Sequence, residues 1–153
     1  MVRPVPTLIL TEQEVLLALS GGLAELGALG GSLAGPAGAV GGASGARAGA
    51  RVAKLDGRRR DWSSPLPETV LDRLRLALGE PHEWRTETPE GERTALVGVV
   101  GSGAMSMNPC VIEVLHHPLG VQLAAHAREG LIKQRTCEKA LERIEREVLG
   151  PTP

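Results

Sequence analysis

The stretch from His82 to Arg128 constrains this chain most. It alternates in two halves, and each half is folded back on itself by a turn signal. Pro89-Glu90-Gly91-Glu92 and His117-Pro118-Leu119-Gly120 are the turns. Alternation puts successive side chains on opposite faces of a sheet, so a one-residue slip would move every apolar residue to the wrong side. In the first hairpin, Thr88 is placed opposite Arg93, Thr86 opposite Ala95, Trp84 opposite Val97 and His82 opposite Val99. One face then carries Trp84, Ala95, Val97 and Val99. In the second hairpin, His116 is placed opposite Val121. One face then carries Cys110, Ile112, Val114, Val121, Leu123, Ala125 and Ala127. The other carries Glu113, His117, Gln122, His126 and Arg128.

A helix is expected on either side of this meander. Ser64-Pro65-Leu66-Pro67-Glu68 is a helix start, with proline tolerated early and an acid near the positive end. Val70, Leu71, Leu74, Ala77 and Leu78 form one apolar stripe, and Gly79-Glu80-Pro81 stops it. The closing helix is read over 131–149, with Cys137, Ala140, Leu141, Ile144 and Val148 buried. Val52–Leu55 supplies a short strand before the first helix. The fold class is therefore α+β: a four-stranded antiparallel meander with two helices on one face, in the order β-α-β-β-β-β-α. There is no Phe or Tyr among the 153 residues, so Leu, Val, Ala and two tryptophans must build the core.

Composition shifts sharply upstream. Between Gly21 and Ala50, 20 of 30 residues are Gly or Ala, which separates an N-terminal region (1–60) from the compact domain (61–150). The region opens with Leu8-Ile9-Leu10 and then Thr11-Glu12-Gln13-Glu14, a capping-box pattern. Val15, Leu16, Leu19, Leu23, Leu26 and Leu29 continue at helical spacing, predicting a helix over 12–29 weakened by Gly21-Gly22. Residues 26–46 carry no charge, yet eight glycines and Pro36 make them a poor membrane span. Acidic residues before the apolar run argue against a secretory signal, so the cytoplasm is the expected compartment. Arg47, Arg51, Arg58, Arg59 and Arg60, with Lys54, form a basic run able to contact an anionic surface. Membrane-surface association through residues 16–60 is thus one alternative. Nucleic-acid binding is not expected: net charge is −1 and no aromatic residue is interleaved for base stacking.

The pre-helix Ser64-Pro65, the helix from Glu68 through Leu74, the meander and the long closing helix together resemble the helix-grip, or START-like, families, which include polyketide-cyclase-type and lipid-binding proteins. The resemblance spans roughly residues 52–149. It implies a small apolar molecule held between sheet and closing helix. It carries over no site residue; the faces read above place Trp84, Val97, Ile112, Val114 and Leu141 around such a pocket.

No catalytic motif appears. His116 and His117 are neighbours on a strand and point to opposite faces, so they do not chelate one ion. Cys110 and Cys137 fall on apolar faces and read as buried free thiols. No enzyme activity, cofactor or metal is expected. The remaining apolar residues Leu96, Val100, Val111 and Leu115 are assigned to the second sheet face. A face that apolar wants a cover, from the N-terminal helix or a second copy of the chain. The leading expectation is a non-enzymatic domain that associates with itself or with a protein partner.

Overall fold

The computed structural model describes residues 8–20, 54–102, 108–129 and 135–150. Its elements run α1 (Glu12–Leu19), β1 (Lys54–Ser63), α2 (Val70–Leu78), β2 (His82–Thr88), β3 (Gly91–Ser102), β4 (Asn108–His117), β5 (Gly120–Glu129) and α3 (Thr136–Leu149). The fold is α+β. The sheet has five antiparallel strands in the order β1-β5-β4-β3-β2, so the first strand lies beside the last.

The four meander strands are as expected, and the order β-α-β-β-β-β-α follows α1; the short strand at 52–55 is corrected. β1 is ten residues long and pairs with β5 along its whole length, from Lys54 opposite Glu129 to Ser63 opposite Gly120. It crosses residue 60, so the change in composition there does not coincide with the edge of the sheet. Trp62, on β1, is buried in the core. A third helix, α1, completes the described set. Its Thr11 side chain accepts from the Glu14 N–H while the Glu14 carboxylate accepts from the Thr11 N–H, the reciprocal cap expected. α1 ends at Leu19; the expected extension to residue 29 lies outside the described residues.

The second hairpin has the expected register, with His116 opposite Val121 and Ile112 opposite Ala125. The first is shifted by two. Thr88 faces Gly91 and Trp84 faces Ala95, because Pro89-Glu90 alone make the turn. An even shift preserves faces, so Trp84 stays with Ala95, Val97 and Val99.

The error lies in how the two hairpins combine. Val99 pairs with Val111 and Val97 with Glu113. The Trp84 face therefore continues into Val111 and Glu113, and the opposite face carries Leu96, Val100, Cys110, Ile112 and Val114. This second set lies under α2 and α3 in one cluster with Leu74, Leu123, Leu141 and Ile144. The other cluster holds Leu10, Val15 and Ala18 against Val97 and Val111, on the far side of the sheet. Fully burying a Leu or Val side chain contributes about 1.5–3 kcal/mol, so each cluster stabilises its own layer.

Polar clamps fix the helices. Arg73 donates to the Val148 carbonyl at 2.9 Å, and Arg143 to the Gly101 carbonyl at 3.0 Å. Arg75 on α2 makes a two-pronged pair with Glu83 on β2, both contacts at 2.8 Å, and also reaches Asp72 at 2.7 Å. The hydrogen bond from Arg75, outweighing burial and helped by Arg85, lowers the Glu83 carboxyl from its ordinary 4.5 to about 2. A depressed carboxylate stabilises the fold above its unfolded value and loses that contribution as pH falls through the folded one. Stability contributed by this pair is therefore expected to be intact at pH 6 and to fade between about pH 4.5 and 2. Glu83→Gln should remove on the order of 1–2 kcal/mol at pH 7, allowing for solvent screening, and nearly nothing at pH 2. Urea titrations of both chains at the two pH values read this directly.

Candidate functional site: a buried carboxylate that holds the N-terminal segment

Glu113 and His126 are both fully buried, in the middle of the sheet face opposite α2 and α3. Register explains how they meet. His126 on β5 pairs with Val111 on β4, two residues from Glu113, so the two side chains are diagonal neighbours on one face. Their closest atoms, His126 Nε2 and Glu113 Oε1, are 2.5 Å apart.

The other carboxylate oxygen receives the backbone of the N-terminal segment. Ile9 N–H donates to Glu113 Oε2 at 2.6 Å and Leu10 N–H at 2.7 Å. Leu8 N–H lies 3.3 Å from both oxygens. Three consecutive amides thus converge on one side chain, a concave array of N–H groups suited to an anion. Glu113 accepts from each of them, and Thr11 follows directly as the cap of α1. The carboxylate sets where the segment lands, and the helix then places Val15 and Ala18 on Val97 and Val111. An eight-residue helix has marginal stability alone, so α1 owes its order to this docking.

His126 Nδ1 is buried and has no hydrogen-bond partner among the described residues. The His126 ring is oriented by a carboxylate at one nitrogen, as a general base would be. Cys110 and Cys137 belong to the core on the opposite side of the sheet, and among the described residues no three His, Cys, Asp or Glu side chains gather to hold a metal. As described, the pair is arranged to hold a backbone.

The residues singled out from sequence fall as follows. Ile112, Val114 and Leu141 lie together under the helices, while Val97 and Trp84 lie on the opposite face. The five therefore do not line one pocket, and that set is corrected. Leu96 and Val100 are likewise under the helices, whereas Val111 and Leu115 are on the α1 face, which splits the expected interface. Trp84 is half-buried, stacked on His82 with ring centroids 6.1 Å apart. Arg58, Arg59 and Arg60 lie on β1, where alternation sends Arg58 and Arg60 to the helix side and Arg59 to the other. Arg58 pairs with Asp56 and Arg59 with Asp61, each at 3.2 Å. Arg47 and Arg51 lie outside the described residues, as does most of the 16–60 stretch read as a membrane contact. No helix among the described residues is long and apolar enough to cross a membrane.

Sequence reasoning put Glu113 and His126 on the outer face with Val111 and Leu115 and expected the N-terminal helix or a second copy to cover that face, but it gave the pair no part in the contact. The missed signal was the setting of Glu113, which is the lone charge in Cys110–Leu115 and has Val111 and Leu115 beside it on its own face. No protein-family model, curated protein or solved structure matches this chain.

Proposed function

We propose that this chain is a non-enzymatic α+β binding domain that associates with protein through the sheet face opposite α2 and α3, a second copy of the chain being the first partner to test. One observation carries the reading: that face is apolar but unevenly covered. α1 packs over β4 and β5. Toward β2 and β3, Trp84 and Val99 are only half-buried, and Leu115 beside them is too. A large aromatic flanked by aliphatic side chains is the kind of patch that anchors protein interfaces.

Sedimentation equilibrium tests the reading. The full chain is expected to dimerise at tens of micromolar, and Trp84→Lys to weaken that dimer at least tenfold. A monomer at every concentration would reject self-association.

The neighbouring alternative is a small-molecule site of the helix-grip kind. It is favoured by β1 lying beside β5 and by α3 reaching across β1, β3, β4 and β5. Its ligand would lie against Ile112, Val114 and Leu141, the part of the expected pocket that stays together. Titration with an apolar fluorescent probe, with Leu141→Trp as the blocked control, separates it from the first reading.

A further inference from the structure

We propose that the N-terminal segment 8–20 is a displaceable intramolecular ligand, and that the groove it fills over β4 and β5 binds an amphipathic segment of another protein. The inference rests on the reading of this sheet face as the recognition surface, and it specifies what the covered half recognises.

Three features support it. First, the contact reads backbone rather than side chains: Glu113 takes the amides of Leu8, Ile9 and Leu10. Any stretch that bends so as to turn three consecutive N–H groups to one side offers the same donors, and proline at any of the three positions cannot. Second, the side chains that follow are few and spaced simply. Leu10, Val15 and Ala18 are the buried ones, after a Thr11/Glu14 capping box. The fitting partner is therefore an apolar stretch, a Ser or Thr cap, an acid three residues later, and a short helix with apolar residues four and seven positions after the cap. Third, α1 is only eight residues long and has marginal stability of its own, so the segment is held by these contacts rather than by its own helix.

As part of the same chain, the segment competes intramolecularly, which favours it over a free partner making the same contacts. The segment therefore sets a threshold. A partner with the same contacts binds weakly, and one with additional contacts on the open β2–β3 side displaces it.

The probe is the segment itself: an N-acetylated, fluorescently labelled peptide of residues 8–20, titrated into the full-length chain by polarisation. Val15→Asp in the chain weakens its own segment and should make the peptide bind at least tenfold more tightly than to the unmodified chain. Adding Glu113→Gln to that chain should remove the gain. A peptide N-methylated at Ile9, which keeps the side chain and loses the amide proton, should bind at least tenfold more weakly than the parent. Equal binding by the methylated peptide, or no gain in the Val15→Asp chain, overturns the proposal.

Amide hydrogen exchange on the unmodified chain stands independently of any variant that fails to fold. The Leu8–Leu10 amides are expected to exchange well before those of β4. Protection equal to that of β4 would mean the segment does not leave, and would overturn the proposal. Dimerisation persisting through any of these failures would leave the self-association reading intact, so the two can fail separately.

Discussion

Glu113→Ala is expected to lose about 3–5 kcal/mol of stability, the usual cost of removing one member of a buried, hydrogen-bonded pair. The alanine leaves His126 Nε2 facing an apolar layer and releases the Ile9 and Leu10 amides. Water can reach those amides only if α1 lifts away. The loss should therefore show in two stages. The Leu8–Leu10 amides should lose exchange protection already in buffer, and the urea midpoint of the sheet should fall because Val97 and Val111 lose their cover. Glu113→Gln should fall between the parent and the alanine variant, since its amide oxygen still accepts a backbone N–H. A midpoint unchanged in Glu113→Ala would mean that the carboxylate does not hold the segment.

Gly120→Ala should be of similar size for a different reason. Gly120 has φ of +153° and opens β5 directly against the end of β1. A Cβ there would lie 2.1 Å from the Trp62 carbonyl oxygen and 3.3 Å from Ser63 Cα. Both are backbone atoms, so no side-chain rotation relieves the clash. Either β1 separates locally from β5 or the 117–120 turn is rebuilt, and Trp62 is drawn out of the core in both cases. A loss of about 3 kcal/mol or more is expected. Gly79 is the internal control. Its φ is +58°, but nothing lies within 4 Å of its missing Cβ. Gly79→Ala should therefore cost only the backbone strain of φ 58°, ψ 118°, about 1–3 kcal/mol, with no clash added. Equal losses at the two sites would refute the close-approach argument.

The parts of the fold legible in sequence were those in which one local pattern sufficed. The Thr11 cap, the α2 stripe, the α3 stripe and the β4–β5 register each follow from residues within a few positions of one another. The β3–β4 pairing did not, because Leu96-Val97 and Val99-Val100 offer apolar side chains to both faces, as does Cys110–Leu115. Alternation selects a face only when one side is polar. With both sides apolar, either joining of the hairpins satisfied the pattern, and the pocket and interface sets were each assembled from both faces. Arg59 and Asp61 obscured β1 in a similar way: a strand full of charge reads as a linker until its long-range partner β5 is known. The Glu113–His126 pair was invisible because a charge among apolar residues looks like a solvent-side position unless the segment that buries it, over one hundred residues away, is placed.

The position of β1 beside β5 has a consequence for how the molecule is made. On the ribosome, the N-terminal segment and β1 emerge first, but both must wait for the strands that receive them. Glu113 follows Leu10 by 103 residues, and Lys54 cannot meet Glu129 until that residue, 75 positions later, has been synthesised. The β2-to-β5 hairpins can form in sequence as they appear, each from near neighbours. The sheet's first-made edge is thus its last to close, and β1 stays without its partner strand until β5 has been made.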